Sequence, residues 1–394
     1  MAPMSKSLDN FARDKLDVIA ARNLTRRLIP TVRGSSVRAA RGAECLISFC
    51  DNDYLGLSQH PQVIAAAVKA TEAHGAGAGA SRLVTGNHPL YDALESRLAR
   101  LKGTEAACVF GSGYLANIGI IPAFAGQGDL VLGDELMHAC MNGGAKLSGA
   151  ETHVFRHNDV ADCERLLKQH RAGKGHCLIL TEGVFSMDGD RAPVAELAAL
   201  AHAYDAWLLV DDAHALGVIN GGRGSGFDDA GGRVGVDLAM GTLSKSAGAY
   251  GGYVAASRTA IDYLINRARS LIYTTGLPPG VLAAAEKALE LIETDAALTA
   301  KPLAHARTFT QGLGLPNAVS AVVALVLGDE ARALKASDDL ARQGFLVTAI
   351  RPPTVPPGTA RLRVTFSAAH ANDDVERFIA AVKALNLVAE KTPA

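Results

Sequence analysis

A chain of 394 residues is long for one compact core, so two packed units are expected. At 48% hydrophobic, 20% charged and a formal net charge of -1, it has the composition of a soluble enzyme, without the positive excess that holds a nucleic-acid backbone or an anionic membrane. Cys45, Cys50, Cys108, Cys140, Cys163 and Cys177 are scattered without a C-x-x-C pair, which argues against a disulfide scaffold or a zinc site and fits reduced thiols in a cytoplasm.

Residues 1–10 contain no apolar stretch of the signal-peptide kind, and no later run approaches the roughly eighteen apolar residues of a membrane span, so neither export nor membrane insertion is expected. Residues 1–50 read as a basic, helix-like opening carrying Arg22, Arg26, Arg27 and Arg33, followed by a short strand at 45–49. A larger body spans 51–285. Within it, Leu90, Leu94, Leu98 and Leu101 mark one face of a helix entered at Asn87, with Pro89 in its first turn and Gly103 at its close. Apolar runs at 106–110, 129–132, 152–155, 177–180 and 207–210 alternate with helix-length segments, a rhythm that predicts a mainly parallel sheet covered by helices, an α/β fold. A helix over 279–293 leads into residues 286–394. Strands at 319–326 and 361–366, alternating with helices at 329–342 and 372–385, predict a small α+β lobe there.

In such a sheet, ligands gather beyond the carboxyl ends of the strands. Asp211 and His214 follow the apolar run 208–210, and Lys245 lies in the small-residue loop 241–246 after the run 236–240. Taken singly, such a lysine is a solvated surface charge and such an aspartate a cap. Together they make a seat for pyridoxal 5'-phosphate: the amine joins the aldehyde, the carboxylate keeps the pyridine nitrogen protonated, and the imidazole reaches the phenolic oxygen. Phe110-Gly111-Ser112-Gly113-Tyr114 joins a strand to a helix, where free N–H groups favour a phosphate. Gly75 to Ala80 imitates a dinucleotide fingerprint but follows a helix-like segment, so it reads as a mobile or closely packed turn, and a nicotinamide oxidoreductase is disfavoured.

In order, these pieces resemble the α-oxoamine synthases, a branch of the fold-type I pyridoxal phosphate enzymes, nearly end to end. The markers are Asn52-Asp53-Tyr54-Leu55-Gly56, Gly79-Ala80-Ser81-Arg82, Gly113-Tyr114, His138, the run from Thr181 to Gly189, Asp211-Asp212-Ala213-His214, and Thr242 to Lys245. The resemblance implies that Lys245 holds the cofactor and moves the α-proton, Asp211 pairs with the ring nitrogen, His214 with the phenolic oxygen, and His138 stacks on the ring. It assigns Gly113, Tyr114, Thr242 and Ser186 to cofactor binding, and Thr274 or Thr275 to the phosphate of a neighbouring subunit in a homodimer. Arg363 matches the arginine that receives the amino acid's carboxylate, while Arg26 and Thr354 match substrate-side positions. The run 349–363 is most similar to members that condense L-alanine with a pimeloyl thioester on the route to biotin, carried by coenzyme A or acyl carrier protein. Sister enzymes use glycine and other acyl thioesters, and a scaffold that has lost catalysis is the non-enzymatic alternative. Ser244 stands where many relatives have glycine, and Gly276 where they often carry a larger residue.

Overall fold

The computed structural model describes residues 7–21, 24–34, 37–228 and 230–388, so Arg22 and residues 1–6 lie outside the described residues. Helix α1 (Ser7–Ala21) buries none of its side chains, and strands β1 (Val32–Arg33), β2 (Arg38–Arg41) and β3 (Glu44–Ser48) follow as an antiparallel meander. Helices α2 (Pro61–His74) and α3 (Leu90–Lys102) lead into the main sheet. Helix α3 starts slightly later than its sequence suggests, with Pro89 at the cap, and ends where Gly103 takes the left-handed conformation (φ 63°) and donates its N–H to the carbonyls of Ala99 and Arg100. Its leucine face is the expected one: Leu94 and Leu98 are fully buried, each contributing about 1.5–3 kcal/mol by removal from water.

The main sheet has seven strands: β4 (Ala106–Phe110), β5 (Leu130–Asp134), β6 (Glu151–Phe155), β7 (Cys177–Glu182), β8 (Trp207–Asp211), β9 (Leu238–Thr242) and β10 (Gly252–Ala256). Their spatial order is β4-β10-β9-β8-β7-β5-β6, and every pairing from β9 to β6 is parallel. Strand β10 is the exception. It runs antiparallel between β4 and β9, a strand the sequence did not announce because Gly252 and two alanines are weak strand formers. Between strands lie α4 (Gly113–Phe124), α5 (Ala139–Ser148), α6 (Val160–His170) and α7 (Val194–Ala203). Separate apolar clusters, one around Leu132, Ile179 and Leu208, the other around Val131, Leu180 and Leu209, follow the two faces of the strands.

After β10 come α8 (Arg258–Arg267), α9 (Arg269–Ile272), α10 (Pro279–Thr294) and α11 (Ala296–Gly312). Strand β11 (Val322–Gly328), helix α12 (Glu330–Arg342), strands β12 (Phe345–Leu346), β13 (Thr348–Ile350) and β14 (Ala360–Thr365), and helix α13 (Asn372–Ala384) complete the chain. The order β11-β14-β13 is antiparallel, which gives the α+β lobe expected from the alternation. Strand β3 pairs in parallel with β12, and Phe49 stacks on Phe378 with ring centroids 4.1 Å apart, so the early strand packs with the carboxy-terminal elements.

The glycine run has a conformational reason. Gly75 (φ 86°) and Gly79 (φ 72°) occupy a region closed to side chains, while a Cβ at either would meet open space. Close approach occurs instead at Gly86, where a Cβ would lie 2.1 Å from the Ala80 carbonyl oxygen.

Candidate active site

The carboxyl ends of β7, β8 and β9 bring Glu182, Asp211 and Thr242 to one edge of the sheet, with Lys245 in the turn after β9. Asp211 is buried and fixed at both oxygens: Asn117 Nδ2 donates to Oδ2 at 2.8 Å and the Ala213 N–H donates to Oδ1 at 2.9 Å. Among the described residues, Lys245 Nζ has no hydrogen bond or ion pair. Burial pulls this amine below its ordinary value, against the opposing fields of the Asp211 and Glu182 carboxyl groups.

Two imidazoles face the same region. His214 is pushed well below its usual range by burial, then by the charges of Lys245 and Arg363, so the ring is neutral. Arg363 Nη2 donates to the Tyr54 hydroxyl at 3.3 Å, and that hydroxyl lies 2.6 Å from His214 Nδ1. The phenol has one proton, and its shortest contact takes it, so Nδ1 accepts and Nε2 carries the hydrogen. His138 caps helix α5, accepting the Cys140 N–H at Nδ1 at 3.2 Å, which also leaves its Nε2 as the donor. Burial lowers its pKa as well, and pushes the neighbouring Cys140 thiol up to about 12.

Gly113 opens helix α4, where Ser112 accepts the Leu115 N–H at 3.1 Å. A Cβ on Gly113 would press against Thr242 at 3.4 Å, so the helix start lies directly over the end of β9. Thr242 is buried with its hydroxyl on the Gly251 carbonyl at 2.8 Å, and Tyr114 is exposed. Thr275 bridges to Ser81, and Thr274 lies beside Gly111. Arg363 is buried on β14: its Nε donates to the Ser186 carbonyl and its Nη2 to Asn52 Oδ1 at 3.1 Å. Arg361, two residues earlier, binds Asp188, so one strand holds the 186–188 segment through two arginines. Gly189 completes the joint: at φ 80° its Cβ would sit 2.0 Å from the Val322 carbonyl, a contact only glycine permits.

Arg26 and Thr354 meet elsewhere, on the wall of a cavity of about 740 Å³ that Arg27, Arg41 and Arg351 also line; Lys245 and Asp211 are not among its lining residues. Sequence reasoning missed the supporting contacts of Asn117 and Tyr54, and it gave no role to Glu182, which it met only within the run from Thr181 to Gly189. Glu182 pairs in register with Asp211 across β7 and β8, is buried, and has Oε1 without a partner. Burial and the neighbouring Asp211 push its carboxyl well above the usual range. Asn117 carries a detectable signal, because it falls one helical turn after Gly113 and therefore returns to the strand-end face.

A half-buried amine with no hydrogen bond among the described residues, a carboxylate fixed by two donors, two neutral imidazoles and a helix N-terminus over the strand ends fit pyridoxal phosphate. The chain belongs to the aminotransferase class I and II family, whose model matches residues 44–382. Among relatives, it is 58% identical to the 8-amino-7-oxononanoate synthase of Methylobacterium radiotolerans over 96% of this chain and 98% of that protein. The serine palmitoyltransferase of S. paucimobilis with a bound PLP–myriocin adduct shares its fold at a TM-score of 0.88, with 31% identity over 98% of this chain and all of that one. The 8-amino-7-oxononanoate synthase of Francisella tularensis matches at 0.71, with 26% identity over 86% of this chain and 98% of that structure.

Proposed function

We propose that this chain condenses L-alanine with a pimeloyl thioester to give 8-amino-7-oxononanoate, carbon dioxide and the free thiol carrier, in biotin synthesis. The observation that carries the reading is the half-buried amine of Lys245, unbonded among the described residues and in the field of the Asp211 carboxylate, in a chain 58% identical over nearly its whole length to a synthase of that name. Pyridoxal phosphate, held by Lys245, supplies an electron sink for the pair released when the amino acid's α-C–H and carboxyl bonds break.

The residues then divide the work. Lys245 takes the α-proton, a task helped by burial, which raises the fraction of neutral amine near neutral pH. Asp211, oriented by Asn117, holds positive charge at the ring nitrogen. His214 would donate from Nε2 toward the cofactor's phenolic oxygen, and His138 would cover one ring face. Gly113, Tyr114 and Thr242 would contribute to binding the cofactor or its phosphate, Ser186 would lie beside the ring, and Thr274 or Thr275 would reach the partner's phosphate in a homodimer. Arg363 offers its planar donors to the carboxylate of alanine. Arg26 and Thr354 face the acyl substrate in their basic cavity, which suits either coenzyme A or acyl carrier protein as the carrier. The working division is a 1–50 segment, a 51–285 cofactor lobe and a 286–394 lobe, in a cytoplasmic enzyme. Among the described residues, no helix is long and apolar enough to cross a membrane.

Purified protein incubated with alanine and pimeloyl-coenzyme A is expected to release carbon dioxide and yield an amino ketone of the expected mass. Product from glycine but not alanine would overturn the substrate assignment. Lys245→Ala is expected to lose the visible absorbance of covalently held cofactor; the same reducible adduct in that variant would move the role to another lysine.

A further inference from the structure

Far from the reacting groups, the first turn of the edge strand and the end of helix α6 place three potential ligands together. Glu151 opens β6 and His153 follows two residues later on the same face, while His170 closes α6. One ligand atom from each lies within 4.8 Å of the others. His153 Nε2 is 2.8 Å and His170 Nδ1 3.3 Å from the same oxygen, Glu151 Oε1, and the two rings stack with centroids 3.7 Å apart. Around a tetrahedral ion with bonds of about 2.0–2.1 Å, neighbouring ligand atoms lie about 3.3 Å apart, so the His170 separation matches an edge of such a shell and the His153 one, shorter by about 0.5 Å, opens to admit the ion.

We propose that Glu151, His153 and His170 bind a divalent transition-metal ion of the zinc type. Two imidazoles and one carboxylate oxygen suit Zn²⁺, Ni²⁺ or Cu²⁺; the set has too few oxygens for Ca²⁺ and no thiolate to select a softer ion. The remaining carboxylate oxygen, Oε2, takes Lys174 Nζ at 2.5 Å, which leaves Oε1 turned toward the imidazoles and orients the ligand from behind. Water completes the coordination. The site lies at the amino end of β6, whereas the reacting residues gather at the carboxyl ends of β7 to β9, so its role is structural: the ion fastens the end of α6 to the free edge of the main sheet.

The test uses tag-free holoenzyme washed with a chelator and titrated with ZnCl₂ by calorimetry. The parent is expected to bind one zinc per chain and to gain thermal stability from it. The variant H153A/H170A should lose both effects, with zinc affinity at that site falling more than about tenfold and turnover unchanged. Matching unfolding midpoints of parent and variant in chelator establish that the variant folds. Equal affinity and stoichiometry in parent and variant, or no saturable binding by the parent below millimolar zinc, would overturn the proposal.

Discussion

The substitution Lys102→Met keeps the side-chain stem and removes only the ammonium, from a place where it has no substitute. Lys102 ends α3, and its Nζ lies 2.5 Å from Asp212 Oδ2 and 2.6 Å from the Arg223 carbonyl, with both charged side chains 1% exposed. Without it, Asp212 retains the Ser225 N–H at 3.1 Å and the Ser225 hydroxyl, but its charge is left buried and uncompensated. Breaking such a pair costs about 3–5 kcal/mol, against a total stability of about 5–15 kcal/mol. Asp212 adjoins Asp211, so the damage extends to the strand end that carries Asp211. The assay is urea unfolding of the parent, K102M, D212N and K102M/D212N. A lower midpoint at constant slope is expected for K102M, with much of the loss recovered in the double variant, whose amide still accepts from Ser225. An unchanged midpoint in K102M, or strictly additive losses in the double variant, would refute the idea that this pair anchors the turn.

Asn117→Ala removes a charge-assisted bond from Asp211 worth about 1.5–3 kcal/mol, and is expected to weaken cofactor affinity by roughly tenfold or more, read by equilibrium dialysis. Arg363→Lys should raise KM for alanine at least about tenfold, since an ammonium cannot reproduce the planar fork; an unchanged KM in steady-state assays would place the carboxylate elsewhere. His157 bridges Asp134 at 2.9 Å and Asp190 at 2.7 Å. Burial alone would lower its pKa, but these two carboxylates outweigh burial and lift it from 6.5 to about 10. A raised folded-state value stabilises below the unfolded value, so its contribution is full below about 6.5 and disappears as pH climbs through about 10. Unfolding midpoints measured across that range should decline less steeply in His157→Gln than in the parent.

That Asp211, His214 and Lys245 lie together was legible because each belongs to a short motif at the end of a strand: Asp211 and His214 share one turn, and Lys245 follows the adjoining strand. The helix and strand rhythm gave the sheet and the second lobe for the same reason, since periodicity is local. What was not legible depends on long closures. Asn117 reaches Asp211, Tyr54 reaches His214, and Arg363 reaches Ser186 only after the sheet has assembled; the spacing from Gly113 gives Asn117 its face, but nothing near Tyr54 or Arg363 names a partner. Strand β10 stayed hidden because glycine and alanine carry little strand preference, while the pairing of β3 with β12 joins segments at opposite ends of the chain.

The single hydrogen on the Tyr54 hydroxyl has a consequence for how such a pocket can change. The oxygen that carries it accepts from the guanidinium of Arg363, while the hydrogen itself goes to the imidazole of His214. With the roles proposed above, a new amino-acid preference acquired by shifting the guanidinium alters what the phenol offers the imidazole, and with it the electronics at the opposite wall. Recognition and reactivity in this pocket share one hinge, and divergence in either draws the other along.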